Sequence, residues 1–441
     1  MSERLFMETI KGFSKLSKSE KMQWVATQFA SDAKAVVEEW QSFWHPEAEQ
    51  QRVLDGFSEN TLSNFPIPFG VAPNFIINDQ VYTIPMVIEE SSVVAAAAYA
   101  AKIWMSRGGF RAEVVNSVKI GQVHFLWKGT TNTLFEHFEA IKHKMLSNAK
   151  PITARMEKRG GGILEVELLD KTKEEPNYYQ LKVSFETCDS MGANFINSVL
   201  ESFGKDLKGY AQTHLEDPLE VVMAILSNYT PDCLVKAWVN CPVEQLTHIC
   251  QDLDGATFAQ KFCTAVRIAE IDPYRATTHN KGIYNGIDAV VLATANDFRA
   301  IEACGHAYAS RDGQYRSLSR CTVERGIFHF ELTVPMAVGT VGGLTKLHPI
   351  ARRSLELLGN PSAKELMQII ASVGLAQNFA ALKSLITTGI QQGHMKMHLY
   401  NILQHFNAQN GEVEATLQHF KDKVVSFNAV RTFLEENRKV S

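Results

Sequence analysis

The chain has 441 residues, 45% hydrophobic and 21% charged, and its 44 basic and 48 acidic side chains leave a net charge of −4. That length exceeds what one hydrophobic core absorbs, so two or three domains are expected. The near-balanced charge gives no electrostatic case for nucleic acid or an anionic membrane as partner.

The first sixty residues read as amphipathic helices, with Ser17 and Glu20 as a capping box ahead of Met22, Val25 and Phe29 on one face. A turn-rich segment at 64–75 and a strand-like V-Y-T-I-P-M-V-I follow. Next comes E-E-S-S-V-V-A-A-A-A-Y-A-A-K, a helix start with Ser91 or Ser92 as N-cap, ending at Gly108-Gly109. The middle changes grammar. Strands are predicted at 118–127, 163–169, 179–185 and 233–239, and helices at 132–146 and 191–203, which is the β-α-β-β-α-β order of a ferredoxin-like unit. Beyond about residue 240 the pattern returns to long helices, one through I-D-A-V-V-L-A-T-A-N-D and one capped by Ser362 and Glu365. The last fifty residues read as polar helices forming a small lid.

Several signatures are missing. Cys188, Cys233, Cys241, Cys250, Cys263, Cys304 and Cys321 lack CxxC spacing, so no disulfide framework or zinc site is expected, and reduced thiols in a cytoplasmic chain are the default. The start M-S-E-R-L-F does not read as a signal peptide, and the apolar run at 93–101 is too short to span a bilayer. No G-x-G-x-x-G, P-loop, H-E-x-x-H or G-x-S-x-G occurs. His394 and His398, four apart, lack a third ligand, so no metal is expected.

Some polar groups sit in unusual company, each with a bland reading. Glu89 and Glu90 fit a helix N-terminus, where the macrodipole favours carboxylates; one of them could instead hold a proton as a general acid. Lys281, in R-A-T-T-H-N-K-G, is a surface lysine in a solvated loop or a cation for a developing oxyanion. Asp297 reads as the end of the following helix. These residues alone leave the alternatives open.

Together the stretches resemble 3-hydroxy-3-methylglutaryl-coenzyme A (HMG-CoA) reductase in its soluble, bacterial-type class II form. Five segments carry the resemblance: E-N-T-L-S-N-F-P-I-P-F-G-V-A-P-N-F from Glu59, I-P-M-V-I-E-E-S-S-V-V-A-A-A-A-Y-A-A-K from Ile84, D-S-M-G-A-N-F-I-N from Asp189, D-P-Y-R-A-T-T-H-N-K-G-I-Y-N-G-I-D-A-V-V-L-A-T-A-N-D from Asp272, and V-G-L-A-Q-N-F-A-A-L-K-S-L-I-T-T-G-I-Q-Q-G-H-M from Val373. They span about residues 55 to 400 in family order.

The resemblance implies an α+β fold. A mostly helical large substrate domain (1–115 and 232–387) would carry an inserted ferredoxin-like NAD(P)-binding domain (116–231) and a C-terminal helical flap (388–441). It also implies reduction of the HMG-CoA thioester to mevalonate with two NAD(P)H and release of coenzyme A, in a homodimer with sites at the interface. Glu90, Lys281, Asp297 and His394 match the catalytic positions. Lys281 would hold the oxyanion, His394 protonate the departing thiolate, Glu90 protonate the aldehyde oxygen, and Asp297 orient Lys281 and keep Glu90 neutral by repulsion. Ser92, Arg275, Asn285 and Glu59 match substrate-binding positions. Asp189, Met191, Gly192, Asn194, Asn228, Thr153, Gly342 and Gly343 match the cofactor side, and His279 reads as structural. Arg155, Lys158 and Arg159 near Thr153, with no aspartate there, favour NADPH over NADH. Leu344 departs from the small residue expected in V-G-G-x-T. Two alternatives are the same enzyme run oxidatively on mevalonate and a catalytically dead homologue.

Overall fold

The computed structural model describes residues 8–247, 249, 253–345, 347–387, 399–400, 402–420, 423 and 425–440, with no description of the Leu344 side chain. Three short helices open the chain: α1 Lys18–Thr27, α2 Ala33–Ser42 and α3 Ala48–Asp55. The Ser17–Glu20 capping box forms as expected. On α1, Met22 and Ala26 are buried whereas Phe29 just beyond it is exposed. A hairpin of β1 Phe69–Ile77 and β2 Gln80–Val87 then leads into α4 Val93–Met105 and the short β3 Arg111–Val114.

Next come β4 Lys119–Trp127, α5 Thr131–Glu157, β5 Gly162–Asp170, β6 Tyr178–Glu186, α6 Ala193–His214 and β7 Leu219–Leu226. These strands form an antiparallel sheet in the order β5-β6-β4-β7, the arrangement of a ferredoxin-like unit. The unit has its own core, in which Phe125, Trp127, Val183 and Phe185 of the sheet meet Leu134 and Ile141 of α5 and Val199 and Phe203 of α6.

Two sequence expectations fail here. The closing strand is β7, and the alternating run at 233–239 is β8 Leu234–Pro242, which belongs to the other sheet. A β-bulge beside His124/Phe125 breaks the register of β7, so its apolar residues do not alternate and the strand goes unnoticed. The helix expected at 132–146 runs on through Pro151 to Glu157, so Thr153 lies on a helix.

The chain continues through α7 Gly255–Ile271, α8 Pro273–Ala293, α9 Phe298–Ala309, the hairpin β9 Ser319–Glu324 and β10 Ile327–Pro335, α10 Pro349–Leu357 and α11 Ala363–Ile386. The β9–β10 hairpin, absent from the all-helical expectation, completes a second sheet in the order β3-β8-β10-β9. Its apolar face, with Phe328, Phe330 and Leu332, packs into one large core with α4, α7, α8 and α11. Helix α11 is apolar and long enough to cross a membrane, but 72% of its most apolar window is buried within the protein, as suits the central helix of a core. The helices Asn410–His419 and Phe427–Val440 share a small separate cluster with Leu399, Ile402 and Leu403.

Against the expectation of reduced thiols throughout, Cys263 of α7 and Cys321 of β9 form a disulfide with Cα atoms 5.0 Å apart. They stand 58 positions apart in sequence, and only the packing of β9 against α7 brings them together.

Candidate active site

The stretch R-A-T-T-H-N-K-G-I-Y-N-G is not a loop. Asp272 caps α8 by accepting the N–H groups of Tyr274 and Arg275, Pro273 opens the helix, and the whole run to Ala293 is helical. The helical repeat therefore puts Arg275, Thr278, Lys281, Gly282 and Asn285 along one side. That side faces a cleft of about 590 Å³ whose other walls are the β2–α4 turn with the start of α4, and α11.

Across the cleft, Lys281 Nζ donates to Glu90 Oε2 at 2.5 Å. The contact joins residues 191 positions apart and selects Glu90 from the Glu89-Glu90 pair. Both side chains keep contact with solvent, at 60% and 38% exposure, so the pair stays open to a ligand and adds little to stability. Ser92 is the N-cap of α4 but does not cap it with its side chain. Its backbone is left-handed (φ 72°), and among the described residues its hydroxyl, which lines the cleft, has no hydrogen-bond partner. Arg275 is half-buried and without an ion pair among the described residues; burial lowers its pKa from the usual arginine value. Three cations (Arg275, Lys281, Lys383) against one carboxylate (Glu90) make the cleft suited to an anionic ligand.

His279 is structural, as expected. It is 1% exposed, burial and the nearby Arg275 push its pKa down to about 3, and Nε2 bonds Ser319 Oγ at 2.7 Å. Ser319 Oγ in turn donates to Asn378 Oδ1 at 2.8 Å. Beside Asn378, Gln377 is 5% exposed, and its Oε1 has no partner among the described residues although it lines the cleft. An orphaned buried acceptor there points to a ligand donor such as a hydroxyl. Lys383, bonded to Tyr99 Oη at 3.2 Å, closes the same wall. Sequence reasoning missed Gln377, Asn378 and Lys383. The signal was present, since polar residues in so apolar a helix need partners.

Asp297 does not end the preceding helix. Helix α8 stops at Ala293, Ala295 turns left-handed (φ 53°), and Asp297 caps α9 through the N–H groups of Arg299 and Ala300. Among the described residues it has no hydrogen bond to Lys281 or Glu90; its charged partner is Arg299 at 3.4 Å. Its neighbour Asn296 accepts the Gly339 N–H at 2.8 Å, and a Cβ at Gly339 would stand 2.4 Å from Met191 N, so the 339 loop packs between Asn296 and the 188–194 turn.

That turn is tied down by backbone. Asp189 O accepts from Thr340 N and Val341 N, and Asp189 Oδ1 accepts the N–H of Ala363, the first residue of α11. Gly192 (φ 93°) opens α6, where a Cβ would sit 2.5 Å from Thr187 Cγ2, and α6 has no side-chain cap, so its first N–H groups remain available. Gly342 and Gly343 are both left-handed. Met191 is half-buried, and Asn194, Asn228 and Glu59 are exposed. Thr153 is 1% exposed and donates to Glu157 Oε1 at 2.7 Å, so it offers no free group. Arg159, at the end of the same segment, does lie against the turn, its carbonyl accepting from Cys188 Sγ. His394 lies outside the described residues.

The family model described as Hydroxymethylglutaryl-coenzyme A reductase matches residues 19–399. This chain belongs to the hydroxymethylglutaryl-coenzyme A reductase family. It is 34% identical to the 3-hydroxy-3-methylglutaryl-coenzyme A reductase of Archaeoglobus fulgidus over 99% of this chain and 96% of that one. It is 33% identical to a probable 3-hydroxy-3-methylglutaryl-coenzyme A reductase of Borreliella burgdorferi, over 90% and 87% of the two chains. Among solved structures, a class II HMG-CoA reductase of Streptococcus pneumoniae, described as bound to NADPH in open conformations, superposes with a TM-score of 0.69. It is 40% identical, with 86% of this chain and 99% of that chain covered. As a class II HMG-CoA reductase family member, the chain is an oxidoreductase, and its α+β fold agrees with the expected one.

Proposed function

We propose that this chain reduces the thioester of HMG-CoA to mevalonate and releases coenzyme A, with the chemistry in the cleft between α4, α8 and α11. The observation that carries this reading is the Lys281–Glu90 contact facing an otherwise cationic cleft. NADPH, or NADH, supplies the hydride when bound. The residues that would hold it are the 189–194 turn, the 339–343 loop and the uncapped start of α6, where glycines and free N–H groups suit a pyrophosphate. NADPH is favoured because Arg155, Lys158 and Arg159 lie at and just beyond the end of α5, where the Arg159 carbonyl meets Cys188 of this turn, and suit a 2′-phosphate.

Lys281 places its ammonium where negative charge grows on the thioester oxygen. Its proton already bridges to Glu90, so the same contact is a route by which the aldehyde oxygen receives a proton. Arg275, with no ion pair among the described residues, grips the substrate carboxylate, and the substrate hydroxyl donates to the orphaned Gln377 Oε1, with Ser92 and Asn285 beside it. His394 protonates the departing thiolate, and Asp297 is the fourth catalytic group. Residues 116–231 serve as the nucleotide-binding domain, 1–115 and 232–387 as the substrate domain, and 388–441 as a flap. The chain works in the cytoplasm as a homodimer.

The test is a steady-state assay of the purified chain with HMG-CoA and either NADPH or NADH, repeated with mevalonate and oxidised cofactor. Glu90→Gln is expected to bind both substrates and fail at aldehyde reduction. Full turnover by Glu90→Gln would sink the assigned role. A strong preference for the oxidative direction would reverse the physiological reading but keep the site.

A further inference from the structure

Lys119, the first residue of β4, lies outside the cleft and is matched by none of the motifs above. It is 4% exposed. Its ammonium donates to Thr187 Oγ1 at 2.6 Å and to Ser190 O at 3.4 Å, and no carboxylate lies within ion-pair distance among the described residues. A buried cation held only by neutral oxygens is costly unless an anion completes its surroundings.

The two acceptors belong to the turn that leads into α6. Thr187 Oγ1, while accepting from Lys119, donates to Ser190 O at 2.6 Å. Ser190 Oγ accepts the N–H of Gly192 at 3.1 Å, and Cys188, which follows Thr187, is left-handed (φ 50°). The Thr187 side chain also fills the space that a Cβ on Gly192 would need. The ammonium therefore fixes the residue nearest to the helix-opening glycine, and it adds positive charge beneath a helix N-terminus that has no side-chain cap. The carboxylate of Asp189 is turned away to the N–H of Ala363.

We propose that Lys119 is a positioning residue for nucleotide binding, holding the 187–192 turn from below and offsetting the charge of the phosphates that this turn receives. The proposal rests on the reductase reading for what binds there.

The test uses the full-length chain. NADPH affinity is measured by fluorescence titration for wild type, Lys119→Met and Lys119→Arg, with kcat and the HMG-CoA KM measured beside it. Lys119→Met is expected to weaken NADPH binding by about tenfold or more. The HMG-CoA KM, and kcat at saturating NADPH, should stay within about threefold, because the cleft is built on other elements. Lys119→Arg should recover most of the loss, which a purely packing role would not produce. A folded Lys119→Met chain that binds NADPH as wild type does overturns the proposal. Should Lys119→Met fail to fold, Thr187→Val keeps shape and removes the bridging hydroxyl. It is expected to weaken NADPH binding several-fold, and an unchanged affinity overturns the proposal equally. A wild-type chain that binds neither NADPH nor NADH overturns the reductase reading together with this one, whereas wild-type binding with indifferent variants overturns this one alone.

Discussion

The cleft and the turn at the head of α6 are built in opposite ways. In the cleft, Arg275, Lys281 and Asn285 ride on α8, whose opposite side is buried with Ala276, Ile283 and Ile287, so each polar group is held by packing beneath it. In the turn, backbone groups do much of the holding, through Asp189 O to two N–H groups and a glycine that tolerates φ 93°, braced by the Lys119–Thr187 contact beneath. Chemistry on one reacting carbon needs side chains fixed on rigid supports. A phosphate-bearing ligand needs backbone N–H groups that it can approach closely.

That contrast predicts which constant each substitution moves. The largest effect is expected for Lys281→Ala, a loss in kcat of ~10³ or more with both substrates still bound, read by steady-state kinetics and direct binding. A loss confined to KM would mean that Lys281 serves binding alone. Arg275→Lys is expected next, raising the HMG-CoA KM by roughly tenfold or more through loss of the bidentate fork, with the NADPH KM unchanged. A shift in the NADPH KM instead would show that cleft and turn are not separate binding regions. Gly192→Ala should do the reverse, weakening NADPH several-fold and lowering stability by ~1–2 kcal/mol, since both its φ and its contact with Thr187 exclude a Cβ.

A pH test sharpens the structural side of the cleft. His279, with its pKa pushed down to about 3, accepts a proton more readily when the chain unfolds. Its contribution to stability is whole above pH ~6.5 and drains as pH falls toward the folded value, by at most ~1.4 kcal/mol per unit. Denaturant curves at pH 7.5 and 5 should therefore differ less for His279→Asn than for wild type. The smallest effect concerns Asp288 of α8, whose pKa burial and the facing Glu302 of α9 push up. Its contribution is present at acid pH and lost as pH rises through the folded pKa. Asp288→Asn should accordingly raise Tm by about 2–4 °C at pH 8.5, with little change at acid pH.

Much of this was legible in the sequence because capping and periodicity are local. Ser17–Glu20 and Ser362–Glu365 form the boxes their spacing predicts. The strand assignment failed where local pattern carries no partner. The alternation at 233–239 says half-buried strand but not which sheet, and the bulged β7 has no alternation to show. R-A-T-T-H-N-K-G reads as loop because its polar residues weaken the helical pattern, yet Arg275, Thr278 and Lys281 are polar because they face the cleft, and His279 and Asn280 because they bond the 316–319 segment. Thr153, matched by motif position, sits buried with its hydroxyl spent on Glu157.

The sequence by itself determined the family and the helix boundaries set by caps, since five ordered segments and short-range hydrogen bonding are written in contiguous residues. Tertiary structure alone decided that Glu90 rather than Glu89 meets Lys281, that Asp297 caps α9 instead of ending α8, that Gln377 lends an orphaned acceptor to the cleft, and that a buried Lys119 underlies the turn before α6. The physical reason is common to all four. Each depends on a contact between elements brought together by burying apolar faces, and the direction of a single polar side chain follows from that packing.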